Sequence, residues 1–226
     1  MKRQKKNVHK SGSEAPKSVM QSNSVKKQLE WLKGRYESEV EMAQMAAEGD
    51  PVAKRDLIDA LIDQVRRTVS YLARPNRDAE DLSQLALIQI LHSAGSFRGE
   101  CTLKYWADRI VVRTAMKQFR KRQRRERLSA AIWEPPPPRE RSVDDSVGLR
   151  QVRVHLSGLL QKLSDERRTA VVLHHVQGYG IAEISEMTDA PINTVRDRLR
   201  VGRKQLKKRI LADPSLRDWI GAGAIR

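Results

Sequence analysis

The chain has 226 residues and is strongly basic, with 44 Lys and Arg against 28 Asp and Glu and a formal net charge of +16. Such a charge argues against an ordinary metabolic enzyme and predicts a polyanionic partner, a nucleic acid before a membrane surface. Hydrophobic residues make up 39% of the chain, which is enough for a core and excludes a wholly disordered basic protein.

Targeting and metal-binding signals are weak in this sequence. The N-terminus is charged without an apolar segment behind it, and no apolar run approaches the ~18 residues of a membrane span. Cys101 is the one cysteine, and the adjacent His174 and His175 would point about 100° apart on a helix, which makes a poor chelate. We therefore expect a cytoplasmic protein with no membrane partner and no metal.

The first 40 residues are polar and basic, and we predict a mostly disordered tail over 1–40, in which a helix could begin at Val25. Two interpretations of this tail are open, a solubilising segment and a non-specific tether to DNA or RNA. A helical domain is predicted at 41–126. Its helices begin after Asp50, at Ala79 and at about Leu103, since apolar residues recur there at helical spacing.

A change of composition follows the third helix. Four consecutive prolines, Pro135 to Pro138, cannot continue a helix and favour polyproline II. We predict a linker at 127–151 that could span roughly 80 Å when extended. A second helical domain is predicted at 152–211 and a tail at 212–226. The fold class is therefore all-α, with two small helical domains joined by a flexible linker.

The stretch "GIAEISEMTDAPINTVRDRLRVGRKQLKKRI" predicts a helix-turn-helix. A short helix at Ile181 to Thr188 leads to Asp189, which tolerates a left-handed turn, and Asn193 can cap the next helix. The alternative is an amphipathic helix with a solvated basic face. The residues predicted to face duplex DNA, at base edges first and at phosphates further along, are Asn193, Thr194, Arg196, Asp197, Arg198, Arg200, Arg203 and Lys204.

Asp197 has two possible roles in that helix. Its carboxylate could accept a hydrogen bond from cytosine N4, or it could pair with Arg198 or Arg200 and contact no base.

The stretch "DAEDLSQLALIQILHSAGSFRGECTLKYWADRIVVRTAMKQFRKRQRR" resembles region 2 of bacterial sigma factors of the extracytoplasmic-function (ECF) group. Residues 163–210 resemble region 4 of the same family. The two regions stand in the family's order, with a variable linker between them, and the resemblance covers about 50–211.

The resemblance implies contacts with core RNA polymerase, through its β′ clamp and its β flap. It assigns clamp docking to a set in "DAEDLSQ" that comprises Asp78, Glu80, Asp81, Leu82 and Gln84. The same acidic residues would also complement a helix N-terminus. Leu85 stands where the family usually has an acidic residue, and it either alters docking or fills the core.

The resemblance also implies capture of the promoter −10 element by "SFRGE" and the helix behind it. The residues so assigned are Phe97, Arg98, Gly99, Glu100, Lys104, Arg109, Arg113, Arg120, Lys121 and Arg122. Phe97 is expected to stack on a base turned out of the strand, and Trp106 is expected in the core. Tyr105 is left open between strand and solvent. Arg113 replaces a frequent Asn of the family.

The function that the resemblance implies is that of a sigma factor without catalytic activity. It would bind core RNA polymerase and direct promoter-specific initiation on promoter DNA, reading the −35 element with region 4 and melting the −10 element with region 2. No cofactor is implied, and an anti-sigma factor is a possible partner.

Two competing functions follow from other features. One is a stand-alone helix-turn-helix regulator that binds duplex DNA without polymerase, as a dimer on a palindromic site. The other is a DNA recombinase, for which Tyr179 would be the candidate nucleophile. Cys101 also suggests redox sensing, although its neighbours in the sequence give no reason for a lowered thiol pKa.

Overall fold

The computed structural model describes residues 37–73, 77–128 and 156–213. The predicted basic tail up to residue 36, the Pro-rich stretch and the chain after residue 213 lie outside the described residues. Pro75 and Asn76, whose residue types predict a turn between two helices, lie outside them as well.

An N-terminal bundle forms from four α-helices and one short 3-10 turn. They are α1 (Glu39–Glu48), α2 (Pro51–Leu72), α3 (Arg77–Ser93), the 3-10 turn (Ala94–Ser96) and α4 (Leu103–Leu128). Helix α1 was not predicted from the sequence, and α4 continues two residues into the range predicted as linker.

Local capping residues explain why α1 and α2 are separate helices. The Ser38 hydroxyl accepts from the backbone N–H of Glu41 at 3.1 Å, and α1 ends at Gly49 in the left-handed region with φ 108°. Asp50 then accepts from the N–H of Ala53 at 2.6 Å, with proline at the first position of α2. Such caps satisfy backbone donors and acceptors that the helix ends leave free.

A C-terminal bundle follows the undescribed segment. It contains a helical stretch at 156–161, α5 (Asp165–His175), α6 (Ile181–Thr188) and α7 (Ile192–Ala212). The bounds predicted for α6 are confirmed. Helix α7 begins one residue before the predicted Asn193, and Pro191 takes the capping position, so the prediction of Asn193 as the cap was wrong. Proline is favoured at helix starts because its φ is already near the helical value.

One apolar core runs through both bundles. Leu57, Leu72 and Val111 of the N-terminal bundle and Leu173 and Ile184 of the C-terminal bundle belong to one cluster of buried side chains. Helix α4 packs against both α5 and α6, and α2 packs against α5. The described residues are helical with no strand, which confirms the all-α class. The structure therefore holds the two predicted domains in contact.

Candidate nucleic-acid interface

The turn between α6 and α7 is fixed by its own backbone and side chains. Asp189 adopts φ 52°, the left-handed conformation predicted from the sequence. The Ser185 hydroxyl donates to the Ala190 carbonyl at 2.6 Å, and Glu183 accepts from the N–H of Gly180 at 2.7 Å at the start of α6. The Glu183 bond caps the start of α6, and the Ser185 bond together with the Asp189 conformation fixes the turn into α7.

Helix α7 packs closely on α5. Val195, Leu199 and Gly202 are its buried residues. A Cβ at Gly202 would meet Cγ2 of Val171 at 2.8 Å, so the two helices approach at a distance that only glycine allows without rearrangement. The remaining face of α7 is left to solvent.

The exposed face of α7 carries the residues predicted to contact duplex DNA. Arg198 is half-buried, and the exposed members are Asn193, Thr194, Arg196, Asp197, Arg200, Arg203 and Lys204. Two arginines are held within the helix. Arg196 donates to Oδ1 of Asn193 at 3.0 Å, and Arg200 pairs with Asp197 at 2.6 Å. Of the roles predicted for Asp197, the structure contains the pairing with Arg200.

The "SFRGE" loop rests on α1. Arg98, Gly99 and Glu100 are exposed, and Gly99 has φ 74°. A Cβ at Gly99 would meet Cγ2 of Val40 at 2.9 Å. Glycine is therefore required here both by the backbone conformation and by the proximity of α1.

Phe97 lies beneath this loop and not on its surface. Its side chain is 2% exposed, and its ring centroid lies 5.4 Å from that of Trp106. The prediction that Phe97 offers its ring to a base is wrong for this structure, because the ring faces inward from the end of the 3-10 turn and packs on α4. Trp106 is buried, as predicted, and both rings support the loop from within.

Some of the cations of α4 are exposed to solvent, and one of them forms ion pairs with acidic side chains. Arg113, Arg120 and Lys121 are exposed. Arg122 pairs with Asp165 of the C-terminal bundle at 2.7 Å and lies 3.8 Å from Asp78. The Arg122 side chain therefore joins α4 to α5 in this structure, and its role as a phosphate contact stays a prediction.

Residues from the C-terminal bundle also engage the first turns of α4. Arg109 forms an ion pair with Glu186 at 2.9 Å, and Tyr105 donates to the same carboxylate at 3.0 Å. The Tyr105 side chain, which the sequence left open between strand and solvent, therefore faces the C-terminal bundle. Burial, this hydrogen bond and nearby acidic charge raise the pKa of Tyr105 to about 12. Lys104 contacts Tyr179 at 3.2 Å, which places it in the same interface.

Helix α3 presents the predicted docking residues on its surface with one exception. Asp78, Glu80, Asp81 and Gln84 are exposed. Leu82 is 4% exposed and belongs to the core, so its prediction as a docking contact was wrong. The apolar positions at the surface of α3 are instead Leu85, 38% exposed, and Ile88, 46% exposed.

The structure gives no support to the competing recombinase function. Tyr179 is buried and donates its hydroxyl proton to Asp108 at 2.5 Å. Burial and the Asp108 carboxylate raise the pKa of Tyr179 far above its ordinary value, which is the opposite of what a nucleophile needs.

The described residues also bear on redox, metal and membrane chemistry. Cys101 is an exposed residue, but partial desolvation of its thiol raises the thiol pKa. A raised pKa disfavours the reactive thiolate. Within the described ranges, no group of three or more acidic, His or Cys side chains is placed to hold a metal. Among the helices of that part of the chain, none has the length and apolar character of a bilayer span.

Comparisons with known proteins agree with this architecture. A family model of Sigma-70 region 2 matches residues 57–125, and one of Sigma-70, region 4 matches residues 154–206. The ECF RNA polymerase sigma factor SigM of Mycobacterium tuberculosis is 28% identical over 176 residues, which cover 77% of this chain and 86% of SigM. The ECF sigma factor SigK of Mycobacterium sp. (strain KMS) is 31% identical over 167 residues, which cover 69% of this chain and 85% of SigK.

Solved structures give the same fold. The sigma factor RpoE of Bartonella quintana, crystallised with the anti-sigma factor NepR, matches with a TM-score of 0.55 at 22% identity, over 68% of this chain and 94% of RpoE. CnrH, in complex with the cytosolic domain of CnrY, matches with a TM-score of 0.53 at 18% identity, over 77% of this chain and 98% of CnrH.

Two sigma-70 regions in the order 2 then 4 define a sigma-type transcription protein. The chain belongs to the ECF sigma factors. Proteins of this family bind core RNA polymerase and direct promoter-specific initiation of transcription.

Proposed function

We propose that α7 reads the promoter −35 element as duplex DNA. The observation that carries this proposal is the exposed N-terminal half of α7, which presents Asn193, Arg196 and Arg200 after a fixed turn. Arginine can donate two hydrogen bonds to guanine, and asparagine suits adenine. Arg203 and Lys204 lie further along the helix and suit phosphates, which would position the helix without adding sequence information.

The −10 element is proposed to bind at the "SFRGE" loop and along α4. Arg98 and Glu100 would contact a base at the loop, where Gly99 lets the backbone approach a nucleotide. Arg113, Arg120 and Lys121 would follow the phosphates of the strand. Phe97 would act indirectly, by supporting the loop from below.

Core RNA polymerase is proposed to dock on α3. The exposed carboxylates of Asp78 and Asp81 and the amide of Gln84 lie beside the exposed side chains of Leu85 and Ile88. An apolar centre beside charged and polar groups is typical of a specific protein interface. The β′ clamp is the expected partner of this surface, and the β flap is expected to contact the region 4 part.

The protein is proposed to act in the cytoplasm as a regulatory subunit, without catalytic activity or cofactor. An anti-sigma partner is part of the proposal. Its support is that RpoE, which shares this fold, was crystallised with the anti-sigma factor NepR, and that CnrH, which also shares it, forms a complex with the cytosolic domain of CnrY.

Run-off transcription tests the proposal directly. Purified chain, core polymerase and promoter fragments selected from genomic DNA should together give discrete transcripts that neither protein gives alone. Failure to bind core polymerase, combined with tight dimeric binding to duplex DNA, would favour the stand-alone regulator instead.

Two substitutions separate the proposed DNA contacts. Arg196→Ala should cost about 1–3 kcal/mol of promoter binding if the side chain reads a guanine, and a loss equal for all sequences would make it a phosphate contact. Arg98→Ala should impair strand opening, measured by permanganate reactivity, more than duplex binding. Arg66→Ala, at an exposed site of α2 outside the proposed set, is the matched control.

A further inference from the structure

A buried polar cluster joins the two bundles at the start of α4. Asp108 has no exposed surface, and its carboxylate accepts from Tyr179 Oη at 2.5 Å, Lys104 Nζ at 3.1 Å and Thr68 Oγ1 at 3.0 Å. Gln177 of the C-terminal bundle donates to Thr68 Oγ1 at 3.0 Å. Lys104 and Thr68 belong to the same bundle as Asp108, so the bond from Tyr179 is the one that docking adds to this buried carboxylate.

The contact continues along the other end of the interface. The buried Arg168 donates to the Leu72 carbonyl at 2.8 Å, and Gln161 donates to the Ala73 carbonyl at 2.5 Å. These bonds satisfy backbone carbonyls at the C-terminal end of α2, which a helix leaves without partners. Hydrogen bonds therefore join the two bundles at both ends of the interface, in addition to the apolar packing between them.

Glu186 of α6 lies against two side chains in the first turns of α4. Its two carboxylate oxygens take an ion pair from Arg109 at 2.9 Å and a hydrogen bond from Tyr105 at 3.0 Å. A guanidinium and a hydroxyl that converge on one anion are also the groups that proteins use to hold phosphate oxygens. Lys104 is engaged beside them by Asp108 and Tyr179.

We propose that the docked C-terminal bundle inhibits the free chain, with Glu186 acting as a mimic of a −10 strand phosphate on Arg109 and Tyr105. This inference rests on the proposed function of α4 in binding the −10 strand. A strand phosphate and Glu186 compete for the same donors, so the strand binds fully only after the bundles separate. The measured affinity is then the affinity of the separated form multiplied by the fraction of chains in that form.

Affinity for single-stranded DNA tests the competition. Fluorescence anisotropy of a labelled single-stranded oligonucleotide would be measured with full-length free protein carrying Glu186→Gln or Glu166→Gln. Both changes remove one charge from the C-terminal bundle, but Glu166 has no ion pair or hydrogen bond to α4 among the described contacts. We expect Glu186→Gln to bind roughly five-fold more tightly than Glu166→Gln. Equal affinities would overturn the proposal.

Energy transfer between dyes tests the separation of the bundles. Dyes would be placed through Asp59→Cys on α2 and Lys208→Cys on α7, both exposed positions, in a Cys101→Ser background. Added oligonucleotide should lower the transfer efficiency. The decrease should occur at a lower oligonucleotide concentration in Glu186→Gln than in Glu166→Gln. Saturating oligonucleotide that leaves the efficiency unchanged would contradict competition between docking and the strand.

The holoenzyme distinguishes this proposal from the proposed function. Arg109→Ala should reduce strand opening by holoenzyme if Arg109 contacts the −10 strand. If opening is reduced but Glu186→Gln and Glu166→Gln behave alike in the free chain, the inhibitory contact alone is wrong. If opening is unchanged, the −10 role of Arg109 is wrong, and with it the reason for the competition.

Discussion

Helices α4 and α7 both carry the cations expected to meet DNA, but they hold them differently. On α7, Arg196 and Arg200 are exposed and are oriented by Asn193 and Asp197 of the same helix. On α4, Arg109 and Arg122 are held by carboxylates of the other bundle, Glu186 and Asp165. The orientation of the α7 arginines therefore depends on α7 itself, whereas that of the α4 arginines depends on how the two bundles pack.

This difference predicts two kinds of DNA binding in the free chain. The surface of α7 is complete once α7 folds against α5, so it should bind duplex DNA in any arrangement of the bundles. The first turns of α4 are partly covered by the C-terminal bundle, so we expect them to be fully available only when that bundle moves away. The ion pairs of α7, and the partly exposed pair of Arg109 and Glu186, are easily exchanged for phosphates, whereas the buried hydrogen bonds between the bundles must be broken together.

The largest expected effect comes from Arg168→Ala. Arg168 is fully buried and pairs with Asp165 while bonding Leu72, so its removal leaves a buried carboxylate with fewer donors. We expect a loss of about 3 kcal/mol in the free energy of unfolding, measured in urea. Arg167→Ala, at the half-buried neighbouring position, is the control and should change stability little. A loss below about 1 kcal/mol would mean that the interface is not integral to the folded chain.

Tyr179→Phe should give the next largest effect. The change removes only the hydroxyl that donates to the buried Asp108, and hydrogen bonds to charged groups contribute about 1.5–3 kcal/mol. Urea unfolding should show a loss in that range, while Tyr71→Phe at a half-buried site of α2 should be nearly neutral. Equal effects of the two changes would show that the hydroxyl bond contributes nothing to docking.

A pair of glycines tests the packing beneath α7. Gly202→Ala would bring a methyl group to 2.8 Å from Val171, whereas a Cβ at Gly158 meets no atom within 4 Å. Overpacking typically costs about 1–3 kcal/mol, and replacing glycine in a helix gains up to about 1 kcal/mol. Thermal unfolding should therefore show Gly202→Ala destabilised and Gly158→Ala stabilised. The opposite order would disprove close contact between α7 and α5.

The smallest expected effect is a loss of docking at high pH. In the docked chain the pKa of Tyr105 is raised to about 12 from an ordinary value of 10.0. The docked form then keeps a proton that the separated form loses, so this stabilisation is complete below pH 10 and is lost as the pH rises towards 12. Tyrosinate absorbance and energy transfer between the bundles should change together over that range. An equal loss of energy transfer over that range in Tyr105→Phe would contradict the linkage.

Local signals in the sequence determined the helices and the turn that presents α7. The bounds of α6, the left-handed Asp189 and the buried Trp106 all follow from spacing, backbone preference and apolar periodicity, which act over a few residues. The family resemblance supplied the order of regions 2 and 4. The helix α1 escaped notice because its apolar residues, Met42, Ala43 and Ala46, include two small ones and give a weak periodic signal.

Tertiary structure alone decided which of the predicted site residues are available. Phe97 and Leu82 were predicted as contacts and are buried, because neighbouring helices cover them. Tyr105 and Glu186 are 81 positions apart in the chain, and no local pattern could pair them. Periodicity tells which side chains share a face of a helix, but the element that packs against that face is set by the whole fold. The sequence therefore determined the two helices that we propose to face DNA, and their packing decided that one is open and the other partly covered.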